Sequence, residues 1–182
     1  MAFYYFDFRD DKKQDCSGLL SSLILQLSVQ SDFCFDTLFK LYSNVSPVLK
    51  PSLIALKECL TAMLSHPGQD APIYIIADAL DECSHSLGMP SARGKVLELI
   101  KELVALKLPN VHLCVASRSE MDIRKVLGSL EPLEISLDDE IGQKADIIAY
   151  IEHTVRSNSM PEWTEEDQNL VINTLSQKAD GR

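Results

Sequence analysis

Two stretches constrain this chain most: IYIIA from Ile73 to Ala77 and VHLCVA from Val111 to Ala116. Each is apolar over nearly its whole length and stops at a polar corner, Asp78 after the first and Ser117-Arg118 after the second. Strands that are apolar throughout belong to parallel sheets, whose strands are joined by helical crossovers. The segment between them carries Val96, Leu97, Ile100, Leu103 and Val104 at helical spacing. Upstream, AFYYFDF from Ala2 reads as an aromatic strand ending in the polar run RDDKKQD. Three helical patterns follow, one on Leu19, Leu20, Leu23, Ile24 and Leu27, one on Phe35, Leu38, Phe39 and Tyr42, one on Leu53, Ile54, Leu56, Leu60 and Leu64. Pro51 suits the first position of the third. Downstream, LEIS from Leu133 is expected as a short strand and SEMD from Ser119 as a helix-opening capping box. Two closing helices run around Ile147, Ile148, Ile151 and Val155 and from Thr164, with Asp167 in a weaker capping box. The expected fold is α/β, a parallel sheet covered by helices on both faces, with C-terminal helices.

Composition excludes several function classes. The 182 residues carry a formal charge of −10, which disfavours a nucleic-acid backbone as partner, and Lys12-Lys13 is only a pair. Five cysteines, with no C-x-x-C spacing, point to reduced thiols rather than a disulfide frame or zinc site. No apolar run reaches the roughly 18 residues of a membrane span. The chain reads as cytoplasmic, with no nucleic acid and no membrane among its partners.

Chemistry concentrates at the corner IIADALDEC. A strand-terminal Asp78, with Asp81 and Glu82 three and four residues on, suits Mg²⁺ and a polarised water, because hard oxygen ligands hold Mg²⁺ and phosphates complete its shell. The plainer reading is a capped strand end with solvated carboxylates. If the Val111 strand lies beside the first, Arg118 comes to the same edge, where its fork of donors suits phosphate or carboxylate. A structural Arg118–Asp81 or Arg118–Glu82 ion pair is the plain alternative there. His66, His85, His112 and His153 are scattered and form no ligand set.

AFYYFDFRDDKKQ, LLSSLILQLS, YIIADALDEC, LCVASRSEMDI, DIIAYIEHTV and KADG occur in an order that resembles the NACHT modules of fungal STAND-type NTPases. Those are regulatory ATPase or GTPase domains of ankyrin- or WD-repeat signalling proteins. The resemblance implies a P-loop NTPase-like fold. It implies that Asp78 stands at the Walker B position and binds Mg²⁺, that Glu82 or Asp81 positions or activates the hydrolytic water, and that Ser117 and Arg118 read the γ-phosphate at the sensor-1 position. Mg²⁺ with ATP or GTP would be the cofactors of the complete module.

The sequence departs from that pattern in holding no G-x-x-x-x-G-K-[ST]. GMPSARGKV, from Gly88, has one residue too many between its glycines, and Val96 stands where a hydroxyl is required. The expectation is an incomplete module with its first strand missing: residues 1–137 a partial α/β core, residues 138–182 a helical segment. It is expected neither to bind nucleotide tightly nor to hydrolyse it alone, and its standing as an enzyme is left open. The Val111 strand would either pair with Leu133–Ser136 or keep an unpaired edge, which favours self-association or a NACHT-family protein partner. The competing function is a non-catalytic interaction module that pairs with intact family members.

Overall fold

β1 (Ala2–Tyr5), β2 (Ile73–Asp78) and β3 (Val111–Val115) form a parallel sheet in the order β1-β2-β3. The computed structural model describes residues 1–43, 50–66, 71–84, 91–135, 141–157 and 163–178. Helices α1 (Cys16–Ser28), α2 (Asp32–Ser43) and α3 (Leu53–Leu64) connect β1 to β2, and α4 (Ala92–Ala105) connects β2 to β3. Helix α5 (Met121–Gly128) follows β3. Residues Met1–Pro132 make one unit and Leu133–Arg182 a second, in which α6 (Ile141–Ser157) and α7 (Glu165–Lys178) pack together. The fold is α/β, with a parallel sheet flanked by helices.

Register puts Ala2, Ile75 and Leu113 side by side, and likewise Tyr4, Ala77 and Val115. These residues share one face of the pleat and join the core with Leu20, Leu23 and Ile24 of α1, Leu60 and Met63 of α3, and Val96 and Ile100 of α4. The other face carries Phe3, Tyr5 and Tyr74 about half exposed, with His112 and Cys114 also exposed. The strand order explains the uneven cover. Both connections step the same way across the sheet, and right-handed crossovers then lie on one side of it. Cys114 therefore faces outward, whereas Cys16, Cys34, Cys59 and Cys83 are buried; all are free.

The two sheet edges differ. On β1 the side-chain amide of Gln26 accepts from the Phe3 N–H at 3.0 Å and donates to the Phe3 carbonyl at 2.6 Å. Gln30 does the same for the terminal amine and carbonyl of Met1. Helix α1 and the turn after it thus seal this edge with glutamines. On β3, Asn110 and Ala116 bond toward β2, so alternation turns the amides of Leu113 and Val115 outward. Among the described residues nothing caps them.

Several local expectations are corrected. No strand forms over Leu133–Ile135, where Leu133 and Ile135 are exposed, and Ser136 lies outside the described residues. A short apolar-polar alternation has no strand character without a ladder partner. On α2 it is Cys34 that is buried, with Phe33, Leu38 and Leu41 against the core, while Phe35, Phe39 and Tyr42 are exposed. Packing of α2 against α1 and α3 decides which of two apolar stripes turns inward. Leu53, rather than Pro51, takes the first position of α3, Ser52 caps it by accepting the Ala55 N–H, and Ile54 faces out. Thr164 and Asp167 do form a reciprocal capping box at α7.

Candidate functional site

The C-terminal end of the sheet is built from two corners, one after β2 and one after β3. Asp78 ends β2 beside Tyr5, its carbonyl accepting the Phe6 N–H at 3.1 Å. Its Oδ1 accepts the Ala79 N–H at 2.8 Å. Ala79 is left-handed, φ 54° and ψ 45°, which turns the chain sharply into a one-turn helix, Leu80–Glu82. Such a conformation is unfavourable for a residue with a Cβ and persists where neighbours hold it. Leu80 supplies that hold, being fully buried and donating its N–H to the Ala116 carbonyl at 3.1 Å. The turn carrying Asp81 and Glu82 is thereby pinned to the end of β3.

Asp81 closes the join. Its Oδ1 accepts the backbone N–H of Arg118 at 3.0 Å and lies 3.4 Å from the Ser117 hydroxyl. The Ser117 hydroxyl is closer to the Arg118 carbonyl, 2.8 Å. The guanidinium of Arg118 reaches Asp81 Oδ2 only at 3.5 Å and is 84% exposed, against 11% for the Asp81 side chain. Glu82 turns the other way, toward the loop after β1, where Oε2 accepts the Phe8 N–H at 3.3 Å. That loop is held by Gln14, which donates to the Phe8 carbonyl at 2.7 Å and accepts the Cys83 thiol proton at 2.9 Å. Burial pushes the Cys83 thiol up to about 12, so it is a packed neutral thiol and not a nucleophile. On the same loop Arg9 forks onto Asp7 and holds its carboxyl down at about 2.

Phe8, Gln14, Asp81, Glu82, Arg118 and Glu120 line an open cleft of about 440 Å³ between these corners. Asp81, Glu82, Ser117 and Arg118, singled out from sequence, thus come together at the C-terminal end of β2 and β3, and Asp78 begins the corner they share. The Arg118–Asp81 pair named as the plain alternative is also formed. Phe8, Gln14 and Glu120, which also line the cleft, carry no such signal in the sequence.

The chief omission is Arg93. Gly88–Val96 reads in sequence as a loop running into a helix; residues 88–90 lie outside the described residues, and Ser91 caps α4 by accepting the Gly94 N–H. Arg93, in the first turn, is buried. It donates through Nε to the Cys83 carbonyl at 3.2 Å, through Nη2 to the Asp81 carbonyl at 2.5 Å and through Nη1 to Asp122 at 3.3 Å. Glu120 stands 3.7 Å away. Asp122, expected to answer Ser119 in a capping box, is turned to this cation instead. Glu120 takes the N-cap position of α5 without a side-chain cap.

The chemistry of the donors limits what could be held here. Among the described residues no three His, Cys, Asp or Glu side chains converge on a metal position. Asp78 could offer a cation one carboxylate oxygen, with water and phosphate oxygens completing the shell.

The family model for Nephrocystin 3, N-terminal, matches residues 1–118. The chain belongs to the nephrocystin 3 N-terminal family. The matched stretch runs from β1 through Arg118 and so contains both corners and Arg93. Of the described cleft residues named above, Glu120 alone falls beyond the nephrocystin 3 N-terminal match. No curated protein and no solved structure matches the chain.

Proposed function

We propose that this chain is the Walker B and sensor-1 half of a nucleotide-dependent regulatory switch of the NACHT type found in fungal STAND NTPases. The observation that carries the reading is the Asp81–Arg118 junction, which sets the carboxylate corner of β2 against the Ser117-Arg118 corner of β3. The C-terminal edge of a parallel sheet is where α/β proteins bind ligands. In this reading Asp78 contacts Mg²⁺, directly or through water. Glu82 suits the water-positioning role better than Asp81, whose carboxylate is largely enclosed and committed to Arg118. The exposed Arg118 guanidinium is free enough to turn toward a γ-phosphate. The same residues would serve ATP or GTP.

Phosphate affinity in such sites comes mainly from a loop of backbone N–H groups and a lysine, and the 182 residues contain no G-x-x-x-x-G-K-[ST]. Calorimetry of the isolated chain with Mg·ATP and Mg·GTP should therefore give weak or undetectable binding and no hydrolysis. The same titration with an intact NACHT-family relative present should differ from that relative's own. Sub-micromolar binding by the chain alone would place the phosphate site elsewhere.

A second reading, an interaction module that pairs with intact family members or with itself, is favoured by the outer edge of β3, which nothing caps among the described residues. An apparent molar mass by light scattering that rises with concentration would support it. The free, largely buried cysteines suit a reducing, cytoplasmic setting for either reading.

A further inference from the structure

We infer that Arg93 is the positioning residue of this site, fixing the Asp81–Glu82 turn against the Ser117–Asp122 segment. The inference deepens the reading above and rests on it for its functional meaning. Arg93 is a charged side chain only 8% exposed, and every nitrogen of its guanidinium is engaged. An enclosed cation with that many partners is costly to misplace, so its geometry is held firmly. Its contacts straddle the site. Nε and Nη2 grip the carbonyls on either side of Glu82, those of Cys83 and Asp81. Nη1 grips Asp122 in the first turn of α5, four residues after Arg118.

The Asp81–Arg118 bond and the Arg93–Asp122 pair are thus two cross-links between the same corners, one at the cleft and one behind it. Bracketing the backbone at both neighbours of Glu82 fixes where the Glu82 carboxylate emerges and keeps Oε2 on the Phe8 N–H. Lysine keeps the charge but lacks the planar fork and cannot reach two carbonyls and a carboxylate together. Neither Arg93 nor Asp122 lines the cleft, so their effect on it passes through the turn and, for Arg93, through Glu120, 3.7 Å from Nη1.

The test is amide hydrogen exchange by NMR on the full 182-residue chain and its Arg93→Met, Arg93→Lys and Asp122→Asn variants. The Phe8 and Arg118 amides report the two site bonds; those of Ile73 and Ala116, which bond Asn110 and Ala77, report the sheet. Arg93→Met should speed exchange at Phe8 and Arg118 by about tenfold or more relative to Ile73 and Ala116, the scale of one lost charge-assisted hydrogen bond. Arg93→Lys should recover part of this, and Asp122→Asn should produce a smaller change at the same two amides. The inference is overturned if either reporter keeps its wild-type rate in Arg93→Met, or if all four amides accelerate equally. Should Arg93→Met fail to fold, Arg93→Lys and Asp122→Asn decide by the same comparison. No nucleotide enters the experiment, so failure of the nucleotide reading and failure of this inference remain separate results.

Discussion

Asp81 holds Arg118 chiefly by its backbone: Oδ1 lies 3.0 Å from the Arg118 nitrogen, while the guanidinium stands at 3.5 Å and is 84% exposed. A largely enclosed carboxylate on a backbone N–H and an exposed ion pair differ in worth. Losing the first forfeits a hydrogen bond to a charged group, worth about 1–3 kcal/mol, whereas the second contributes about 0–1 kcal/mol.

Asp81→Ala should therefore lower stability by about 1–3 kcal/mol, and Arg118→Ala by less than about 1 kcal/mol. Urea unfolding of both variants checks this. Equal losses would mean that the guanidinium, and not the N–H, is the partner Asp81 serves.

The glycines offer a matched pair. A Cβ on Gly18 would stand 2.5 Å from the Lys12 carbonyl oxygen and 2.6 Å from the Tyr4 hydroxyl, whereas one on Gly128 would meet nothing within 4 Å. Overpacking of this kind costs about 1–3 kcal/mol. Gly18→Ala should lower the urea midpoint. Gly128→Ala, in a helical residue with open space, should raise stability by about 0.4–1 kcal/mol.

The reach of the sequence follows from which interactions are local. The apolar runs of β2 and β3 and the carboxylates after β2 are consecutive residues, so the sheet and its polar corner are readable. The partner of Asp81 follows too, because parallel neighbours bring their C-terminal ends together. Arg93 is not readable. A cation in the first turn of a helix reads as solvent-facing, and its burial is set by Asp122, 29 residues on, and by carbonyls of another turn. The face of α2 is ambiguous for a different reason: Cys34, Leu38 and Leu41 share the same 4-then-3 spacing as Phe35, Phe39 and Tyr42. The strand expected at Leu133 fails because alternation specifies a face but supplies no partner strand.

Thiol chemistry reports the one-sided sheet. Cys114 faces out beside His112, while the other cysteines are buried. An aromatic disulfide reagent should modify one thiol rapidly in the native chain, and five after unfolding in urea. Cys114→Ser should abolish the fast phase. A fast phase that survives the substitution would mean that a buried thiol is reached through local opening.

Alkaline pH tests the core beneath the site. Burial, reinforced by Asp15, raises Tyr4 from 10.0 to about 12, and burial raises Cys16 from 9.0 to about 11 and Cys83 from 9.0 to about 12. In each case the folded state binds the proton more tightly than the unfolded chain. The stability so contributed is complete below the unfolded value and is lost as pH rises through the folded one. Thermal midpoints should therefore change little on account of these groups below pH 9 and fall progressively between pH 9 and about 12. Tyr4 also donates its hydroxyl proton to the Lys12 carbonyl at 3.3 Å, a bond that ionisation destroys. Tyr4→Phe should cost about 0.5–1.5 kcal/mol at neutral pH and should flatten the upper part of the decline, between pH 10 and about 12. Double substitution with Cys83→Ala should flatten it further. An unchanged alkaline slope in both variants would show that these groups titrate alike in the folded and unfolded chain.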